Sequence, residues 1–151
     1  MTAFRWAESD EDRKACLAIR HHVFCGEQGV LPEEEVDGLD SVCLHVLGVD
    51  GDGPVAALRV LPKDGWAKVQ RVAVLRRARG TGTGAALMRW ALDRLPARGF
   101  AGAVLGSQVH AMGFYERLGF VAEGPDYLDA RIPHRDMRLA FGENVAAHAK
   151  P

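Results

Sequence analysis

The stretch from Lys68 to Leu87 constrains the fold of this chain more than any other segment. Residues 69–75 are mostly β-branched and apolar, which is typical of a half-buried strand. Arginines and alternating glycines follow, and from Thr83 the chain becomes rich in Ala, Leu and Met, which predicts a helix. The stretch therefore predicts a strand, then a glycine-rich loop, then the N-terminus of a helix.

The predicted loop is suited to bind a phosphate or pyrophosphate group. Glycines let the backbone turn tightly and let a ligand come close to the amides. The free N–H groups of the first helical turn favour an anion, and neighbouring arginines add positive charge. A plain strand-to-helix turn would need only one glycine, so we favour an anion-binding loop. The glycines are Gly80, Gly82 and Gly84, and the arginines are Arg76, Arg77 and Arg79.

Two common nucleotide-binding motifs fit this loop less well. A Walker loop ends in Lys followed by Ser or Thr, whereas Gly84 is followed by Ala85. Residues 80–85 do fit the dinucleotide pattern G-x-G-x-x-A, but the next strand-like run, 103–105, is not followed by the acidic residue that holds a ribose. About half of the chain precedes the loop, which leaves too little for a doubly wound sheet. A nicotinamide-dependent reductase is therefore the weaker alternative.

A third pattern, Arg/Gln-x-x-Gly-x-Gly/Ala, is met by Arg79, Gly82 and Gly84. On this motif the chain resembles the GCN5-related N-acetyltransferase (GNAT) superfamily, whose members bind the pyrophosphate of acetyl-CoA with this loop. A second match, FYERLGF at 114–120, resembles the FYxxLGF segment of the same superfamily. Two motifs in the right order, about 30 residues apart, are more specific than either alone.

Other segments resemble the ElaA-type branch of this superfamily: residues 20–28, the acids Asp37 and Asp40, and residues 132–134. The resemblance covers about 19–137 and implies an α/β (α+β) GNAT fold with a mixed, mostly antiparallel sheet, a splayed parallel strand pair and flanking helices. It also implies an N-acetyltransferase that uses acetyl-CoA and a primary amine of a small molecule or peptide. Direct transfer in a ternary complex is expected, because no cysteine is placed at the motifs to carry the acyl group.

Composition limits the class of protein. The chain has 151 residues, of which 48% are hydrophobic, so we expect one globular domain at 1–141 and a flexible tail at 142–151. A formal net charge of -1 gives no reason to expect nucleic-acid binding. The chain has no apolar leader, no long apolar span and no paired cysteine spacing, which predicts a cytoplasmic protein without a membrane partner. The histidines lack ligand spacing, so no metal site is predicted.

The other elements follow from local patterns. Ser9 is predicted to cap a helix as part of a capping box with Asp12, and Cys16, Ile19 and Val23 repeat at helical spacing and should face the core. Residues 24–40 are predicted to form a loop with at most a short helical turn; in the resembling family this region overhangs the acceptor site. Further helices are predicted from about 83 and at 110–118, and strands at 4–7, 43–49, 54–61, 101–105, 120–122 and 137–141.

Acetyl transfer to an amine needs a base for the ammonium proton, N–H donors for the carbonyl oxygen and an acid for the thiolate. The resemblance implies that Tyr115 is the acid, since the tyrosine of this segment points at the cofactor sulfur in the family; its reference pKa of about 10 keeps the phenol protonated. The alternative is a core tyrosine flanked by Phe114 and Phe120. Glu27, His45 and His134 are candidates for the base. Arg59 and Arg71 could hold a carboxylate, but we favour structural pairing with Glu27 or Asp37.

The predicted site therefore has three parts. The catalytic residues are Tyr115, Glu27 and His134. The cofactor-binding residues are Val72, Ala73, Val74, Arg79, Gly80, Thr81, Gly82, Thr83, Gly84, Gln108 and Tyr115. The acceptor-binding residues are Glu27, Gln28, His45, Arg71 and His134.

Two alternatives stay open. A non-catalytic acyl-CoA sensor would keep the loop from Arg79 to Gly84 and tolerate the loss of Tyr115. The protein could also form a homodimer, because the strand after Phe120 is expected to have an exposed edge. The identity of the acceptor cannot be read from the residues.

Overall fold

One mixed sheet organises the part of the chain that the computed structural model describes, residues 1–142. The tail predicted at 142–151 lies outside the described residues, apart from Gly142. The strands are β1 (Ala3–Trp6), β2 (Leu44–Asp50), β3 (Gly53–Lys63), β4 (Trp66–Val74), β5 (Gly102–Gln108), β6 (Val121–Asp129) and β7 (Ile132–Ala140). Their order is β1-β2-β3-β4-β5-β7-β6, and only the β4–β5 pair is parallel.

Helices cover both faces of the sheet. They are α1 (Asp10–Arg20), which continues into a π-helical segment (His21–Glu27), then α2 (Pro32–Glu35), α3 (Thr83–Arg94) and α4 (Met112–Arg117). Short 3₁₀ turns lie at Asp40–Val42, Arg76–Ala78, Pro96–Arg98 and Val109–Ala111. This arrangement confirms the predicted fold class, including the helical crossover that makes β4 and β5 parallel. Among the described residues, no helix is both long and apolar enough to span a membrane.

Each face of the sheet has its own core. On one face, Cys16, Ile19 and Val23 are buried against Leu47 of β2 and Ala57 of β3, as their helical spacing predicted. On the other face, α3 packs its apolar side into a larger core that also holds Phe120. The fully buried residues of α3 are Leu87, Met88 and Ala91. Burial on both faces explains why the central strands read as nearly continuous apolar runs.

Two local predictions were only partly correct. Ser9 does cap α1, since its Oγ accepts from the N–H of Asp12 at 3.1 Å, but the carboxylate of Asp12 pairs with Arg5 at 2.7 Å and does not complete a capping box. The closing hairpin is also longer than the segments predicted at 120–122 and 137–141. Its strands were under-predicted because they are mostly exposed and contain Gly, Pro and charged residues, which weaken an alternating pattern.

The π-helical segment was not predicted either. The sequence favoured a loop after Val23, but the N–H of Gln28 bonds to the carbonyl oxygen of Val23 at 3.2 Å, which extends the helical path beyond Arg20. A π segment widens the backbone and is often found at functional sites. Here it carries Glu27 and Gln28 over the sheet, toward the ends of β4 and β5.

Candidate active site

A cleft of about 480 Å³ opens where β4 and β5 part. The two strands pair only at Ala67 with Ala103 and at Lys68 with Val104, and beyond these residues they diverge. The register between β3 and β4 shifts between Ala57 and Arg59, which places a β-bulge opposite this point. The cleft is lined by β4, the end of β5, the π segment, α4 and the β6–β7 hairpin.

Backbone strain marks the bulge in β4. Arg71 has φ +57°, a left-handed conformation that is unfavourable for a residue with a Cβ. After the bulge, Val72, Ala73 and Val74 line the cleft, and their edge toward β5 has no partner strand among the described pairings. An extended ligand can therefore bond to this backbone as a strand would.

The glycine loop follows Arg79, which lines the cleft, and presents unpaired N–H groups, although residues 80–84 are not among those that line the cleft. Gly80 and Gly82 have φ +77° and +83°, and a Cβ at either would meet only open space. None of the hydrogen bonds found within residues 1–142 uses the N–H groups of 80–82, and the first turn of α3 adds further free donors. The hydroxyl of Thr81 donates to the carbonyl oxygen of Ala78, and it lies 2.8 Å from the hydroxyl of Thr83. Hydrogen bonds between residues of the loop therefore fix its shape, and its amide N–H groups remain free to bind an anion.

Tyr115 lies at the wall of the cleft on α4. Its ring packs edge-on against Phe114 at 4.9 Å and Phe120 at 6.0 Å between centroids, and the same residue also lines the cleft. Burial raises the pKa of Tyr115 to about 12, so the phenol keeps its proton at neutral pH. Both predicted interpretations therefore describe part of its position, since the ring is packed between two phenylalanines and still reaches the cavity.

Of the three candidate bases, His134 has the best placed lone pair. Its Nδ1 lies 2.7 Å from the carbonyl oxygen of Ile132. A carbonyl can only accept, so Nδ1 carries the proton and Nε2 of the neutral ring keeps its lone pair. The ring stacks on Tyr127, with centroids 6.0 Å apart and an interplanar angle of 24°, and both residues line the cleft.

The other two candidates are engaged elsewhere. Glu27 lines the cleft, but its Oε1 accepts from Nη2 of Arg79 at 2.6 Å, and this hydrogen bond lowers the pKa of Glu27. His45 is buried and is not among the residues that line the cleft; its Nε2 donates to the carbonyl oxygen of Asp40 at 2.8 Å. Burial lowers the pKa of His45. The structure therefore does not bring His45 to the predicted acceptor site.

A chain of hydrogen bonds crosses the cleft from β5 to the π segment. Nε2 of Gln108 donates to Oε1 of Gln28 at 2.7 Å, although the two residues are 80 positions apart. Oε1 of Gln108 in turn lies 2.7 Å from Nε2 of His110, which must be the donor because an amide oxygen only accepts. Gln28 and Gln108 thus meet over the gap between the splayed strands.

A ring of six alternating charges fastens the loop predicted at 24–40 to the sheet. Each arginine contacts two carboxylates, with N···O distances from 2.6 to 3.4 Å. In order round the ring the residues are Arg20, Glu35, Arg71, Asp37, Arg59 and Asp40, and the last contacts the first. The acids come from the loop, whereas the arginines come from α1, β3 and β4. The ring is electrically balanced, which makes its burial tolerable.

The pKa shifts of Asp37, Asp40 and Arg59 all favour the charged forms of these side chains. The hydrogen bond from Arg59 lowers the pKa of Asp37 well below its usual range. Burial alone would raise the pKa of Asp40, but hydrogen bonds from Arg20 and Arg59 outweigh it and the net pKa is lowered. Burial would likewise lower the pKa of Arg59, yet its hydrogen bonds to Asp37 and Asp40 raise it overall.

The ring settles part of the prediction for the two arginines. Arg59 and Arg71 both form ion pairs with Asp37, as predicted. Glu27, the other predicted partner, pairs with Arg79 instead. Arg71 also lines the cleft, but its N–H groups point to Glu35 and Asp37. The ring as a whole was not predicted, because its pairs form only when the loop folds onto the sheet.

An ion pair between Arg131 and Glu34 links the β6–β7 hairpin to α2 at the edge of the cleft. Nη1 and Nη2 of Arg131 donate to the two carboxylate oxygens of Glu34 at 3.1 and 3.0 Å. Arg131 lies in the two-residue turn between β6 and β7, where Ala130 and Arg131 both have positive φ, +48° and +68°. A two-residue turn of this kind is usually occupied by Asn and Gly. This ion pair and the Tyr127–His134 stack were not predicted, because the first hairpin strand was expected to end at 122 and the second to begin at 137.

Comparison with known proteins agrees with this geometry. Residues 33–141 match the family described as acetyltransferase (GNAT) domain. The uncharacterized N-acetyltransferase YjcF of Bacillus subtilis is 39% identical over 133 residues, which cover 87% of this chain and 94% of YjcF. Protein ElaA of Escherichia coli is 33% identical over 129 residues, which cover 82% of this chain and 84% of ElaA.

The fold comparison points to the same family. The crystal structure of an acyl-CoA N-acyltransferase from Pseudomonas aeruginosa superimposes with a TM-score of 0.81 at 32% identity, over 93% of this chain and 99% of that chain. The crystal structure of E. coli ElaA gives a TM-score of 0.81 at 29% identity, over 91% and 99% of the two chains. The resemblance to the ElaA-type branch is thereby confirmed, and a nicotinamide-dependent reductase is no longer a candidate. The chain belongs to the GNAT acetyltransferase family.

Proposed function

We propose that this acetyltransferase moves the acetyl group of acetyl-CoA to a primary amine of a small molecule or peptide, by direct transfer in a ternary complex. The observation that carries the proposal is the gap between β4 and β5, which runs from Arg79, just before the glycine loop, past the free backbone of β4 to Tyr115. One continuous cleft can therefore hold a long cofactor and bring its thioester to a proton donor.

The cofactor would be held mainly by backbone groups. The N–H groups of residues 80–85 suit its diphosphate, and Arg79 lies beside them. The free edge of Val72, Ala73 and Val74 suits the pantetheine arm, whose amides can bond as those of a neighbouring strand do. The same edge supplies N–H donors for the carbonyl oxygen as negative charge develops on it. Gln108 stands at the end of β5, within reach of this arm.

Two side chains would carry out the proton transfers of the reaction, one as a base and one as an acid. His134 is our choice for the base, because Nε2 of the neutral ring has a lone pair and the ring is held by Ile132 and Tyr127. The amine nitrogen forms a bond to the carbonyl carbon, the C–S bond breaks, and the amine proton passes to His134. Tyr115 gives its proton to the departing thiolate, and the raised pKa of this phenol means that it is protonated when needed.

A thiol-release assay with acetyl-CoA and a panel of primary amines tests the proposal, in wild type and in Tyr115→Phe. We expect turnover with at least one amine in the wild type and a loss of about 100-fold or more in kcat in the variant, which lacks only the phenolic hydroxyl. CoA affinity, measured by calorimetry, should change by less than about twofold, because the ring is retained.

The assay also separates the alternatives. Tight CoA binding by the wild type without turnover of any amine would favour the acyl-CoA sensor. Turnover that is insensitive to Tyr115→Phe would instead remove this tyrosine from the mechanism and leave the function intact. A covalent acetyl-protein detected by mass spectrometry before the amine is added would contradict direct transfer.

A further inference from the structure

Glu27 and Arg79 hold each other across the mouth of the cleft. The Nε–H of Arg79 donates to the carbonyl oxygen of Val74 at 3.0 Å, and its Nη2 donates to Oε1 of Glu27 at 2.6 Å. Both side chains line the cleft, although the residues are 52 positions apart in the chain. The contact joins the end of the π segment to the arginine that precedes the glycine loop.

The surroundings of Glu27 are cationic. Its other oxygen, Oε2, lies 3.7 Å from Nε2 of His22, and Arg76 acts on it through charge alone. Arg79 makes the shortest contact and, by its hydrogen bond, contributes most to the lowered pKa of Glu27. The carboxylate therefore stays ionised at neutral pH. In the free protein it neutralises the arginine that stands beside the unpaired amides of the loop.

A diphosphate on those amides would change this balance. It would bring negative charge next to the carboxylate of Glu27, and two anions would then compete for one guanidinium. The diphosphate carries more charge and also accepts from the loop N–H groups, which Glu27 does not contact. Glu27 can leave by rotation of its own side chain, because its partners are side chains of Arg79 and His22.

We propose that Glu27 occupies Arg79 in the free protein and yields it to the diphosphate of CoA, after which the freed carboxylate attracts the ammonium group of the acceptor. The proposal rests on the proposed function, because it takes CoA as the ligand of the loop. Glu27 is then a positioning residue that couples the two sites, because the amine binds more tightly once the diphosphate has released the carboxylate from Arg79.

Calorimetry of CoA binding to wild type and to Glu27→Gln at low ionic strength tests the exchange. The amide of glutamine neither repels the diphosphate nor competes as strongly for Arg79, so we expect CoA to bind about three- to tenfold more tightly to the variant. Pantetheine has the thiol arm but no diphosphate, and it should bind equally to both proteins. Steady-state kinetics of the variant should show a raised KM for the amine.

Asp50→Asn is a matched control. Oδ2 of Asp50 accepts from Nη1 of Arg77 at 2.7 Å, so this variant also removes a carboxylate from an exposed arginine and changes the net charge by the same amount. Neither Asp50 nor Arg77 is among the residues that line the cleft. The CoA affinity of this control should stay within about twofold of wild type.

Several outcomes would overturn the exchange. Unchanged or weaker CoA binding in both Glu27→Gln and Glu27→Ala would show that the carboxylate does not compete with the diphosphate. An equal gain in Asp50→Asn would show that only net charge matters. If wild type bound no CoA, the proposed function itself would fall, and that result differs from a wild type that binds CoA with an affinity insensitive to Glu27.

Discussion

Arg59 and Asp37 are joined by two parallel hydrogen bonds, from Nη1 to Oδ1 at 2.9 Å and from Nη2 to Oδ2 at 2.6 Å. The guanidinium is completely buried, and the two residues are 22 positions apart. A bidentate pair fixes orientation as well as distance. It holds the segment at 24–40 against β3, so the shape of the cleft depends on a contact outside the cavity.

Replacement of Arg59 by Ala should strongly destabilise the protein. The substitution removes the guanidinium that Asp37 and Asp40 share. Loss of one partner of a buried ion pair typically costs about 3–5 kcal/mol in the free energy of unfolding. Urea unfolding measures this cost. Arg5→Ala is the control, because Arg5 also pairs with an aspartate, Asp12, but is exposed, and should cost less than about 1 kcal/mol. Equal costs for both variants would contradict a stabilising ring.

The charge ring should make the protein sensitive to acid. The hydrogen bond from Arg59 lowers the pKa of Asp37 in the folded state, whereas an unfolded aspartate titrates at about 4. A group with a depressed folded pKa stabilises the fold above its unfolded pKa, and that contribution is lost as the pH falls below about 4 toward the folded pKa. The free energy of unfolding of wild type should therefore fall steeply between about pH 4 and about pH 2.

Asp37→Asn isolates this contribution, since the amide cannot titrate. The variant should be less stable than wild type at neutral pH, but its stability should fall less between about pH 4 and about pH 2. Urea unfolding at a series of pH values compares the two slopes. Parallel curves would show that Asp37 does not contribute to the acid sensitivity.

Gly82→Trp should abolish CoA binding. Gly82 has φ +83° and forms the N-cap of α3, so a large side chain there would obstruct the free amides and strain the backbone by about 1–2 kcal/mol. Gly99→Trp is the matched control, because Gly99 has φ +93°, also meets open space and lies beyond the C-terminal end of α3, whereas Gly82 caps its N-terminus. Both variants should lose similar stability, and only the first should lose CoA affinity in calorimetry. Unchanged affinity in Gly82→Trp would place the diphosphate elsewhere.

Ala130→Asn should stabilise the hairpin at the rim of the cleft. Ala130 has φ +48° in a two-residue turn, a conformation that asparagine adopts more readily than alanine, so we expect a gain of about 0.5–1 kcal/mol. Ala140→Asn is the control: the same exchange at an exposed strand position should give no gain. Thermal unfolding measures both. Destabilisation by Ala130→Asn would mean that the turn is not strained.

The parts of the site that lie close together in the chain were predictable. The glycines of the loop and the helix that begins at Thr83 are neighbours in sequence, and their conformations follow from local sterics and from unpaired helical amides. Tyr115 was predicted from the second motif, and the structure places it at the wall of the cleft. His45 was misjudged because a strand pattern gives the alternation of faces but not what packs over each face.

The contacts that close the cleft were not predictable in this way. Arg79 with Glu27, Gln108 with Gln28 and Arg131 with Glu34 are 52, 80 and 97 positions apart. Periodicity reports neighbours within one element and carries no signal for such pairs. The π segment was likewise hidden, because the widened turn begins inside a normal helical pattern.

The sequence by itself determined the family fold and the position of the glycine loop, because both depend on short-range patterns of glycine, charge and apolar residues. Only the tertiary structure decided which carboxylates and amides stand over the gap between β4 and β5, and which are bound in the charge ring. The physical reason is that a charged side chain gains a partner only when distant segments meet, and a chain with several arginines and acids allows many pairings before packing selects one.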